Sequence, residues 1–170
     1  MTADEVKKLL NLAPHPREGG FFLQTYASGE MIPPNAFAPG RYPGPRHTAT
    51  AIYYLLEPTT FSEMHRLRSD EVFHFYAGDP VEMLQLHADG TATTHILGND
   101  LAKGETPQLV VPRHVWQGSH LVPGGAWALL GCTVSPGFEY EDYDTGGREE
   151  LCAQWRDRAL LITELTRGAE

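Results

Sequence analysis

In the stretch SEMHRLRSDEVFHFYAG, Ser62 to Gly78, an imidazole at His65 is followed six residues later by a carboxylate at Glu71 and then by Gly78. Imidazole exchanges its proton near neutral pH, and a carboxylate beside it fixes its tautomer and raises its pKa. His65 with Glu71 or Glu63 is therefore suited to moving a proton on a bound molecule. The surrounding residues alternate apolar and polar, as two strands joined by a turn would. Side chains two apart on a strand share a face, so Glu63, His65 and Leu67 should point together, and so should Glu71, Phe73 and Phe75 on the neighbouring strand. The pair should converge on one hollow walled by Phe73, Phe75 and Trp116. His74, three residues from Glu71, is turned by regular pleating to the opposite face, toward another sheet or a subunit contact, unless a bulge returns it to the pocket. The same constellation has a structural reading, a buried pair that only holds the strands in register.

The elements that must position these groups can be traced along the chain. Thr2 and Glu5 form a capping box for a short helix with an apolar stripe at Val6, Leu9 and Leu10, ended by Pro14 and Pro16. HPREGG is dense in residues with special backbone preferences, and Arg17 or Glu18 is placed to line the mouth of a pocket. His15 and His47 lie beside prolines, where capping of the backbone is the usual role. FFLQTYAS follows as a strand. Residues 29 to 46 carry five prolines, at 33, 34, 39, 43 and 45, and form the longest loop, a lid over a cavity or an arm on a partner subunit. From Thr48 the pattern is all-β. TATAIYYLL reads as a strand buried on both faces, VEMLQLHA alternates, Asp89-Gly90 signals a hairpin, and QLVVP, WQGSHLV and WALLGCTVSP complete a series of short strands typical of a jelly roll. The tail, about 148 to 167, places Leu151, Trp155, Ala159 and Ile162 at helical spacing and should pack as one amphipathic helix.

With 170 residues, no internal repeat and no low-complexity tract, the chain reads as one domain. The net charge of −9, with basic residues scattered among acidic ones, argues against nucleic acid, whose phosphates need a basic face, and against an anionic membrane surface. MTADEVKKLLNL lacks the apolar core of a signal peptide, and a cytoplasmic location is expected. Cys132 and Cys152 form no C-x-x-C and are expected as free thiols, Cys132 buried in WALLGCTV. His114 should lie in a surface turn, while His87, His95 and His120 are assigned no role.

The spacing His65, Leu67, Glu71, Gly78 resembles the first motif of the cupin superfamily, with Leu67 standing where a second histidine would be. GETPQLVVPRHVWQGSHL resembles the second motif, keeping Gly104 and Pro112, with His114 in a glycine position and Gln117 in place of the last histidine. The blocks LAPHPREGGFFLQTY, TATAIYYLL, HRLRSDEVFHFYAGDP, VVPRHVWQGS and GCTVSPGFEYEDY are similar, in order, to those of the small cupin family five, over roughly residues 9 to 151. This resemblance implies an all-β fold, the cupin double-stranded β-helix or jelly-roll barrel of the RmlC-like kind, in one domain over residues 1–170, with a short N-terminal helix and the C-terminal amphipathic helix outside the barrel. Of the superfamily's usual four metal ligands it leaves His65 and Glu71. With the Gln117 oxygen they could hold a divalent cation weakly, short of the three strong ligands a zinc or ferrous centre wants, so a pocket without a cofactor is the primary expectation. Likeness to the sugar-nucleotide epimerase branch implies a His base and a Tyr acid: His65 as base, with Tyr140 or Tyr143 as acid and Glu71 beside them. Ligand contacts are expected from Glu63, Phe73, Phe75, Trp116, Gln117 and His74. The function expected is binding of a small polar or aromatic metabolite in the barrel, with metal-independent isomerase or epimerase chemistry. The alternatives are a non-catalytic binding protein and a metal-dependent cupin enzyme. Small cupins resemble one another in pairing through edge strands, so a homodimer is expected.

Overall fold

The computed structural model describes residues 1–168. Helix α1, Ala3–Leu10, begins with Thr2 accepting from the Glu5 amide while the Glu5 carboxylate accepts from the Thr2 amide, and it ends at Asn11 in the left-handed region. The strands are β1 Ala13–Pro14, β2 Phe21–Ala27, β3 Met31–Ile32, β4 Arg46–His47, β5 Thr50–Leu56 and β6 Phe61–Arg66. They continue as β7 Asp70–Gly78, β8 Val81–Leu86, β9 Ala92–Leu97, β10 Gln108–Val111, β11 Trp116–Leu121, β12 Ala128–Ser135 and β13 Asp144–Thr145.

Two antiparallel sheets face each other. One has the order β1-β2-β5-β12-β7-β10 and the other β13-β6-β11-β8-β9. The inner faces bury Tyr54, Leu56, Phe73, Phe75, Val81, Met83 and Leu130 as a core that fills one half of the barrel. Alternation along β8 sends Val81 and Met83 into this core while Leu84 and Leu86 face outward, and those are also fully buried, under the C-terminal segment. The outward face of β5 is only half covered, since Tyr53 pairs edge-on with Tyr76 outside the barrel.

Three expectations need correction. The strands that carry His65 and Glu71 are not neighbours in a sheet: β6 pairs with β11 and β13, whereas β7 pairs with β12 and β10. The short link between them carries the chain from one sheet to the other, as the jelly roll requires of successive strands. The tail is not one helix but α2 Arg148–Gln154, a 3₁₀ turn at Arg156–Arg158 and α3 Ala159–Glu164. The break falls at Trp155, which leaves helical geometry as its buried indole N–H donates to the Thr91 carbonyl at 3.1 Å. The proline-rich loop is not a lid, since none of residues 29 to 46 lines the cavity, and its C-terminal end is fastened to its own barrel. Arg46, 2% exposed, makes a two-pronged bond to the buried Asp142 at 2.7 and 2.9 Å, and Tyr42 is buried with its hydroxyl on Ser69. Among the described residues no helix is long and apolar enough to cross a membrane.

Candidate functional site

At the end of the barrel opposite the apolar core the sheets enclose a cavity of about 500 Å³. His65 reaches it from β6, Glu71 from the first turn of β7, and Tyr140 and Tyr143 from the segment after β12. His15 and Glu18 enter from the turn before β2, and His47 from β4. Phe22, Ile52, Leu67, Val134 and Phe138 supply apolar walls.

His65 is 1% exposed, and its Nδ1 lies 2.6 Å from the Glu63 carbonyl oxygen. A backbone carbonyl only accepts, so Nδ1 carries the proton and Nε2 of the neutral ring keeps its lone pair. The Tyr143 ring stacks on this imidazole, with centroids 4.7 Å apart and planes 15° from parallel. The Tyr143 hydroxyl is buried without a partner, and burial raises its pKa. From the other sheet, the Glu71 carboxylate accepts from the Gln117 side-chain N–H at 2.6 Å. Burial, and then the charge of Glu18, push the Glu71 carboxyl up to about 8, against the opposing pull of the Gln117 bond. At neutral pH it is therefore mostly a neutral acid. Cys132 shares the cavity wall with Glu71, and burial holds its thiol well above the usual range, which removes it as a nucleophile.

The structure separates the other predicted residues. Phe73 and Phe75 share the inward face of Glu71 but lie deeper along β7, in the apolar core, and do not line the cavity. Trp116 is one residue from the inward Gln117, so pleating turns it outward, where it packs with Leu151 and Trp155 under the Arg66 guanidinium at 4.4 Å. Glu63 contributes its carbonyl to His65, while its carboxylate turns to the C-terminal Arg167, 3.7 Å away. Gln117 is 1% exposed and supports Glu71 without lining the cavity. His74 lies outside the barrel, stacked on Tyr76 and bonded to Gln108 at 3.3 Å. The bulge in β7 falls after it, at Tyr76, and so does not reverse its direction. Tyr140 sits at the mouth, 37% exposed, beneath the Arg17 guanidinium, and it is Tyr143 that meets His65.

Two histidines add to the site. His15 does cap the backbone, Nδ1 accepting from the Glu18 amide at 2.8 Å, and it also lines the cavity, where burial lowers its pKa. His47 donates from Nδ1 to the Ser28 carbonyl at 2.6 Å while facing the same space. The sequence signal for the first was the HPREGG run, whose Gly19 and Gly20 take positive φ so that the turn can fold against Phe61 and Leu55. For His47 no sequence pattern points inward.

A cupin metal centre does not fit these residues. Leu67 occupies one ligand position as a wall of the cavity, and Gln117 turns an N–H donor rather than its oxygen toward Glu71. Among the described residues no three His, Cys, Asp or Glu side chains gather as a metal-holding group. His114 stands where the motif has glycine and adopts the positive φ of 67° which that position demands.

A jelly-roll barrel with a cavity at one end is the architecture of the cupins. The chain belongs to the family described as Cupin superfamily (DUF985), Cupin_5, whose model matches residues 4–146. It is 29% identical over 143 residues to the Saccharomyces cerevisiae protein YML079W, covering 79% of this chain and 71% of that protein. Two solved structures superpose over nearly the whole chain. Protein SO0799 from Shewanella oneidensis is 35% identical, with a TM-score of 0.86 and 99% of each chain covered. A hypothetical protein from Leishmania major is 28% identical, with a TM-score of 0.88, covering 99% of this chain and 100% of that one. Bacillus subtilis oxalate decarboxylase, at 12% identity and a TM-score of 0.54, shares the fold alone.

Proposed function

We propose that this cupin is a metal-independent acid–base enzyme of the isomerase or epimerase type, acting on a small metabolite held in the barrel cavity. One observation carries the reading. The bond from His65 Nδ1–H to Glu63 leaves Nε2 as the basic nitrogen on a cavity that also receives a carboxyl kept neutral near pH 7. His65 Nε2 takes the proton from carbon next to a carbonyl, the Glu71 carboxyl gives its proton to the carbonyl oxygen, and reversal on the other face or the adjacent carbon returns product with both groups restored. The Tyr143 ring, stacked on the imidazole, favours the cation that forms in between. A homodimer is part of the proposal, supported by the exposed Leu23, Tyr26, Tyr76 and Val110.

The test is incubation in D₂O with unphosphorylated aldoses, ketoses and their amino derivatives, read by NMR. Deuterium should enter next to the carbonyl in at least one of them and be lost at least about a thousandfold in His65→Ala. A compound that binds without exchanging would assign a binding protein instead.

A further inference from the structure

The cavity wall is one-sided in charge. It carries the carboxyl groups of Glu18, Glu71 and Glu139 and no lysine or arginine. Glu18 accepts from the Ser62 hydroxyl with one oxygen. Its other oxygen lies 3.9 Å from His15 Nε2, too far for a hydrogen bond, and no lysine or arginine among the described residues reaches it within 4.0 Å. His15 does not neutralise it either, because burial holds that imidazole in its uncharged form near neutral pH. A carboxylate taken from water without a counterion is costly. The neighbouring Glu71 responds by keeping its proton, with the Glu18 charge the strongest electrostatic cause after burial. Arg17 covers Tyr140 at the mouth, and Arg167 meets the Glu63 carboxylate while its charge also reaches His15 and Tyr143. The Tyr143 hydroxyl, on a residue 7% exposed, adds an unpartnered polar group to the same wall.

We infer that the ligand of this cavity is a small amine, its ammonium seated between the carboxyls of Glu18 and Glu71 and its compact apolar body against Phe22, Ile52 and Leu67. Phosphorylated and nucleotide-linked substrates are excluded by the same argument, since phosphate recognition uses arginine, lysine or an amide nest at the phosphate itself. This deepens the acid–base reading and rests on its choice of cavity. The titratable groups around Glu71 are Glu18 from the turn before β2, Cys132 from β12, and His65 and Tyr143 across the cavity.

Benzylamine, benzyl alcohol and benzoate, matched in shape, are titrated calorimetrically into the full chain at pH 7. Benzylamine should bind at least about tenfold more tightly than either partner at pH 7. Glu18→Gln should weaken benzylamine about tenfold or more and leave benzyl alcohol unchanged. Equal or tighter binding of the alcohol or the benzoate, or no binding of any probe up to about 10 mM, would overturn the inference. The order of the three probes is read on the unaltered chain, so it stands even where the variant fails to fold. Amine binding without any isotope exchange keeps this inference and removes the isomerase; exchange on a neutral sugar with no amine binding does the reverse.

Discussion

The Nδ1–H of His65 is committed to a backbone carbonyl, and the Glu71 carboxyl is committed to a proton. Both facts follow from burial, and both can be read in solution. A carboxyl whose folded pKa of about 8 lies above its ordinary 4.5 binds more protons in the native state than in the unfolded chain between those values. The stability it contributes is fully present below pH 4.5 and is lost as pH rises through 8. His15, His95 and His114, with lowered pKa values, act the opposite way below about pH 6.5. The loss from Glu71 is therefore clearest between pH 6.5 and 8, of order 1 kcal/mol per pH unit, or about 3 °C in melting temperature. Thermal melts should show this slope in the parent chain and not in Glu71→Gln. The types and spacing of His65 and Glu71 were visible in the sequence, and so was the loss of two metal ligands at Leu67 and Gln117. Depth was not visible: Phe73 and Phe75 share a face with Glu71, and only the length of the barrel decides that they plug it while Glu71 lines a cavity. Nor does the tautomer of His65 leave a trace in spacing, because its partner is main chain.

Among the elements, the link between β6 and β7 and the strap formed by residues 29 to 46 decide whether the site exists. Period-two alternation located both strands, but it says nothing of which sheet each joins, so the His65–Glu71 pair reads as neighbours when it is in fact a pair across the barrel. The strap is legible as proline-rich and long; its anchorage is not, since Arg46 and Asp142 are 96 residues apart. That ion pair fixes the segment bearing Tyr140 and Tyr143. Arg46→Ala leaves Asp142 buried and unpaired and should cost about 3–5 kcal/mol, a fall of more than about 6 °C by calorimetry. A change below about 1 kcal/mol would show that water already reaches the pair. Gly19→Ala tests the HPREGG turn: at φ 101° an added Cβ runs into the Phe61 carbonyl, which should displace Glu18 and reduce benzylamine binding about tenfold or more with a smaller effect on melting.

At the scale of the whole molecule, the two-sheet architecture was legible from strand spacing and the cupin blocks, while the division of the tail at Trp155 was not, because its cause is a carbonyl on a distant hairpin, at Thr91. The exposed Tyr26 and Tyr76 predict a mass near twice 18.9 kDa by light scattering at micromolar concentration; a mass near 18.9 kDa would remove the dimer. The loss of metal ligands at Leu67 and Gln117 predicts that dialysis against chelator leaves melting temperature and amine binding unchanged. Everything said of catalysis depends on a protonated Glu71 carboxyl on the cavity that His65 also lines. A ¹³C NMR titration of the chain labelled at glutamate side-chain carboxyls measures that state directly. One resonance, absent from Glu71→Gln, should titrate near pH 8 while the exposed glutamates titrate near 4.5. If every glutamate carboxyl titrates below about pH 5.5, Glu71 is an ordinary ionised carboxylate and the account is wrong.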